Sequence, residues 1–235
     1  MNFFKNLFKG EKKQEVQSKD FWEGVAYVDH DYKELSGEFE IEYKDPNGLE
    51  TKREFTLKKY FFAEDQNDYF IQGMCHFRKA NRTFRTSRIQ TITNLETGEN
   101  VKKPKVEDFL ESLYKQSPFF IAEEIIKNFG MQIDCLVYLA KLDGRFTKIE
   151  KDIILKFLEI SNELEMDDEL QRHILNHLNN AEDRSQITIK KFLKELKENS
   201  ATNENFQESL QEIGNSTKKE DPIKSAGLKM ILERC

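Results

Sequence analysis

Cysteine is scarce. The 3 residues, Cys75, Cys135 and Cys235, lie far apart with no C-x-x-C pair, so neither a disulfide framework nor a Cys-rich zinc site is supported. Apolar side chains are also few: they make up 37% of the chain, and the 10 glycines do not raise the total to the ~45–50% usual for soluble domains. Charged residues, at 34%, exceed the usual ~25%, so modest cores are expected under heavily charged surfaces. No run of ~18 apolar residues exists, the richest stretch being broken by Glu123-Glu124, which excludes a transmembrane helix. Also missing are a secretory leader, a P-loop, a G-x-S-x-G elbow and a convincing catalytic pair of carboxylates. Together these absences lead us to expect a cytoplasmic, non-enzymatic protein without a cofactor.

One absence is local. The net charge is −6, which argues against a constitutive nucleic-acid coat, yet no Asp or Glu occurs from Tyr69 to Leu95. That stretch holds Arg78, Lys79, Arg82, Arg85 and Arg88, a basic block inside an acidic protein and a natural place for an anion.

Three zones follow along the chain. Residues 1–20 open with Phe3, Phe4, Leu7 and Phe8 at helical spacing among Lys5, Lys9, Lys12 and Lys13, so residues 1–13 are a candidate for peripheral membrane contact. Residues 21–100 read as β structure. Phe39, Ile41 and Tyr43 alternate with Glu38, Glu40 and Glu42, Asp45-Pro46-Asn47-Gly48 supplies a turn, and Arg53, Phe55 and Leu57 resume the alternation. A third strand is expected near Asp68–Phe77 and a fourth near Thr83–Thr93, and four or five short strands with so few apolar residues suggest a small barrel. Residues 101–116 read as a linker helix.

From residue 117 to the end the apolar period is 3.6, so an all-α bundle is expected and the chain as a whole is α+β. Phe119–Phe129 and Met131–Leu142 suggest two helices, and further helices carry Ile149–Leu158, Leu170–Leu178, Ile189–Leu196, Phe206–Ile213 and Ile223–Leu232.

Within the basic block, regular strand alternation puts Arg82, Phe84, Thr86 and Arg88 on one face and Arg85 on the other. Guanidinium groups beside aromatic rings pair bidentately with phosphate and stack on bases, which suits a nucleotide or short single-stranded nucleic acid. The competing reading pairs these arginines with the Glu38–Glu42 strand or with water. The order Ile41-Glu42-Tyr43, Gly48, Arg53, Tyr69-Phe70-Ile71 and Arg82–Ile89 resembles the WYL domain over about residues 35–100. That bacterial module has an SH3- or Sm-like β-barrel. Its aromatic and arginine positions form a ligand pocket thought to sense nucleotides or single strands, often in transcription regulators and in phage-defence or DNA-damage systems. Carried over, the resemblance implies a site of Tyr43, Arg53, Tyr69, Arg78, Arg82, Arg85 and Arg88. The triplet here is Tyr-Phe-Ile rather than Trp-Tyr-Leu, and Leu57 stands where the family tends to have Pro.

In the helical half, Gly144 can end one helix while Thr147 and Glu150 form a capping box for the next. Asp143 and Glu150 are the weak candidates for holding a hard cation such as Ca²⁺. The segment Met131–Leu158, with its Asp-Gly turn, resembles the TerB-like helical domain of tellurite-resistance and stress proteins, and the likeness extends over about 117–235. It implies a role in binding a protein partner. The counterpart acid to a second pair is missing, since Leu228 follows Asp221 by the spacing that joins Glu150 to Asp143. His173 and His177 share a helix face without a third ligand, and Cys75 and His76, adjacent on a strand, point to opposite faces. The expected function is non-enzymatic ligand sensing in a bacterial stress or defence response. The alternative is a membrane-surface adaptor of a tellurite or stress-resistance system without a nucleic-acid ligand.

Overall fold

Alternation and turn chemistry build the first unit. The computed structural model describes residues 32–201, 203–216 and 221–235. Residues 1–13, the candidate for peripheral membrane contact, lie outside them, and no helix among the described residues is long and apolar enough to cross a membrane. The chain divides into two compact units between Glu111 and Ser112.

Among the described residues the first unit is one antiparallel sheet of six strands: β1 (Tyr32–Lys44), β2 (Glu50–Ala63), β3 (Asp68–Cys75), β4 (Ala80–Arg85), β5 (Ile89–Asn94) and β6 (Asn100–Lys102), in the order β4-β3-β2-β1-β5-β6. The expected closed barrel is not formed: β4 and β6 are the two edges of an open sheet. The expected fourth strand is also broken. Thr86–Arg88 form a single 3-10 turn between β4 and β5, because the buried Thr86 hydroxyl lies 2.9 Å from Glu107 Oε1 and 3.1 Å from the Tyr69 carbonyl, and the Ser87 hydroxyl bonds Asp68. Side-chain hydroxyls thus give the backbone an alternative to the ladder.

Phe39, Ile41 and Tyr43 are buried on one face of β1, while Glu38, Glu40 and Glu42 are not, as the alternation requires. Register shifts at Glu34/Gly37 and at Leu57/Lys59 bend the long strands at one level. At that level only glycine fits position 73: a Cβ there would stand 2.0 Å from the Thr56 carbonyl oxygen. The helix α1 (Val106–Lys115), expected as a linker, contributes to this core. Leu110 is fully buried and Phe109 meets Phe39 edge-on at 6.5 Å.

Among the described residues the second unit is all helical: α2 (Pro118–Lys141), α3 (Lys148–Asn162), α4 (Asp168–Asn180), α5 (Gln186–Glu198), α6 (Glu204–Gly214) and α7 (Pro222–Leu232). The two helices expected over Phe119–Leu142 are one, since α2 runs through Gly130. Ser117, Thr147, Asp167, Ser185, Asn203 and Asp221 cap the six helices, and Thr147 with Glu150 completes the expected capping box. Leu136, Ile154, Leu158, Ile174, Leu193, Phe206 and Leu210 form the core between them.

Candidate ligand cleft

Cross-strand register brings the cations together. Arg53 lies opposite Ile41, so it shares the face that carries Phe39 and Tyr43. Cys75 lies opposite Phe55, and Arg82 opposite Gly73 on that same continuous face. The result is a cleft of about 210 Å³ lined by Tyr43, Arg53, Arg78, Arg82, Phe84 and Cys75, with the β1–β2 turn residues Asp45, Pro46 and Leu49 on one rim. Phe84 is a buried wall, edge-on to Tyr43 at 5.3 Å and 5.5 Å from Phe55.

Of the residues expected in the site, Tyr43, Arg53, Arg78 and Arg82 share this cleft. The other three are not among its lining residues. Arg85 lies on the opposite face, directly across from Phe70, where its guanidinium stands 5.4 Å from that ring, 3.6 Å from Asp68 and bonded to Gln66. Tyr69 stacks on Tyr60 at 5.2 Å and tilts against Phe62. Arg88 leaves the alternation because the 3-10 turn replaces the strand on which it was expected.

The rival pairing with the glutamate strand takes another form. Glu40 pairs with Lys52 at 2.7 Å, and Glu38 accepts from the Thr56 hydroxyl at 2.7 Å and faces His76 at 3.3 Å. Arg53 and Arg78 have no carboxylate within ion-pair distance among the described residues, and each approaches the Phe77 ring, at 4.9 and 5.5 Å. Asp45, the one acid lining the cleft among the described residues, accepts the backbone N–H groups of Asn47 and Leu49, both at 2.8 Å, and so holds its own turn. The cleft is therefore cationic, floored by aromatic carbon and edged with the hydroxyl-bearing Thr51 and Thr83. It suits an anion with a flat, polarisable portion.

The helical unit treats charge differently. The Lys224 ammonium, fully buried, bonds Glu150, also fully buried, and stands 3.7 Å from Asp143 and 3.3 Å from the Ser216 hydroxyl. The place between the two candidate metal-binding carboxylates is thus taken by an internal cation. Burial pushes the Glu150 carboxyl up, but the Lys224 ammonium and the Thr147 N–H and hydroxyl outweigh it and hold the pKa below the usual glutamate value. Asp143 accepts from the Arg145 backbone N–H at 2.9 Å, as the turn needs. The His173 ring meets Phe119 edge-on, and no group of three His, Cys, Asp or Glu suited to a metal exists among the described residues.

Sequence reasoning missed Lys224 and Phe77. The first was invisible because its partner is far away in the chain; the second carried a signal, an aromatic directly before Arg78 at the start of the basic stretch. No protein-family model, curated protein or solved structure matches the chain.

Proposed function

We propose that the sheet unit is a non-catalytic sensor that binds a nucleotide or a short single-stranded nucleic acid in the Arg53/Arg78/Arg82 cleft. The helical unit passes occupancy to a protein partner, in a bacterial stress or defence response. The observation that carries this reading is the convergence of three guanidinium groups on an aromatic-walled cleft, two of them lacking a carboxylate partner among the described residues. Guanidinium charge left uncompensated beside aromatic rings favours phosphate and base together. At about 210 Å³ the cleft is smaller than the ~300–1,000 Å³ of ordinary small-molecule sites, so it takes one charged unit and leaves the rest of the ligand on the rim. The resemblance of about residues 35–100 to WYL domains and of about residues 117–235 to TerB-like domains supports the same division of labour.

The test is equilibrium binding of labelled single-stranded DNA, single-stranded RNA and nucleoside phosphates to native protein and to Arg53→Ala and Arg82→Ala variants. Loss of roughly tenfold or more in either variant, with affinity that falls as salt rises, is the expected result. Unchanged affinity in both variants would remove the proposal.

A further inference from the structure

Single exposed apolar side chains are ordinary on protein surfaces and call for no explanation. Phe77 differs from the others, such as Ile187 or Ile149, in its surroundings. It is 70% exposed at the β3–β4 connection, yet two guanidinium groups, Arg53 and Arg78, lie within 5.5 Å of its ring centroid. Both of these arginines also line the cleft. Phe77 therefore adjoins the cleft as an exposed ring, with the guanidinium groups of two cleft-lining arginines over it. Leu49, 64% exposed, also lines the cleft.

The cations are spread in a way that fits an extended ligand. Arg53 is on β2 and Arg82 on β4, with β3 between them, so their strands are about 9–10 Å apart at ~4.8 Å per step. Arg78 belongs to the turn beside Phe77. Guanidinium groups on neighbouring strands beside an exposed ring suit a sugar-phosphate backbone with a base stacked on the ring.

Resting on the proposed function, we infer that Phe77 is a base-stacking position and that the ligand is single-stranded nucleic acid of more than one nucleotide, with one phosphate in the cleft among Arg53, Arg78 and Arg82. A base lies on the exposed part of the Phe77 ring while the backbone enters the cleft. Because the ring is exposed, Phe77 substitutions leave the fold intact.

The experiment is fluorescence anisotropy of labelled oligothymidylates of two, four and eight nucleotides. The proteins are the native one and its Phe77→Ala, Phe77→Trp and Arg82→Ala variants, with pyrophosphate as an unlabelled competitor. Phe77→Ala is expected to weaken oligonucleotide binding roughly 5- to 100-fold, the range of one base–aromatic stack, while pyrophosphate competes with unchanged potency. Phe77→Trp is expected to bind like the native protein, with its indole emission quenched on binding. Affinity is expected to rise with length. If Phe77→Ala binds oligonucleotides normally while Arg82→Ala does not, the stacking inference is overturned and the anion cleft stands. If Phe77→Ala weakens pyrophosphate and oligonucleotide equally and Phe77→Trp shows no quenching, Phe77 merely holds the guanidinium groups, which also overturns it. Native protein that binds no oligonucleotide overturns both readings.

Discussion

The two units solve opposite problems with a basic side chain. In the helical unit, Lys224 is taken wholly inside and met by Glu150, Asp143 and Ser216. In the sheet unit, Arg53 and Arg78 are left at an open cleft against Phe77. A buried charge is stable only if it is paired and hydrogen-bonded, so the first arrangement is committed to structure. An accessible guanidinium beside a ring keeps its charge available for a ligand. The difference teaches where to look: a buried, fully paired ion such as Lys224 holds the fold, and the proposed site is built where Arg53 and Arg78 have no carboxylate partner among the described residues.

Substitutions should separate these roles sharply. The largest expected effect is that of Lys224→Met, which leaves Glu150 buried and unpaired and should cost about 3–5 kcal/mol. Hydrogen exchange on the full chain should show the loss in α3, α6 and α7 and not in the sheet. Adding Glu150→Gln should recover part of it, and the comparison breaks if Lys224→Met is neutral. Next is Gly73→Ala, whose new Cβ has no room beside the Thr56 carbonyl oxygen and should cost roughly 3 kcal/mol, read as loosened β2 and β3 amides with the helices unchanged. Arg82→Ala and Arg53→Ala sit at the other extreme for stability, with shifts within about 0.5 kcal/mol, yet they should lower ligand affinity.

Acid gives a smaller, graded check. The Glu150 carboxyl has a folded pKa below its unfolded value of about 4.3. Its contribution is therefore fully present above that value and is lost as pH falls through the lower folded one. Helical-unit stability followed by circular dichroism should decline below about pH 4, and Glu150→Gln should flatten that decline.

Local chemistry was readable in the residues, and distant pairing was not. The Phe39–Tyr43 alternation, the Asp45–Gly48 turn and the Thr147/Glu150 capping box each depend on neighbours in the chain, and each stands as expected. The 3-10 turn at Thr86–Arg88 depends on Asp68 and Glu107, so regular alternation misplaced Arg88. α2 continues through Gly130 because the helix on both sides supplies the packing, although glycine weakens helices locally. Four of the seven expected site residues share the cleft because one sheet face carries Tyr43 on β1, Arg53 on β2 and Arg82 on β4, with Arg78 in the turn before β4. Tyr69 was drawn away by stacking on Tyr60, a contact across β2 and β3 that no spacing rule contains. Lys224 could be paired with Glu150 only after folding.

Arg85 offers the most direct measurement. It belongs to the same basic stretch as Arg82, yet it lies on the opposite face with Asp68, Gln66 and Phe70. Anisotropy of a labelled single strand should be titrated with native protein, Arg82→Ala and Arg85→Ala at low and near-physiological salt. The account predicts that Arg82→Ala loses most of the salt-dependent binding while Arg85→Ala keeps it. Equal losses in the two variants would contradict it, because binding would then follow the net charge of the stretch and not the cleft.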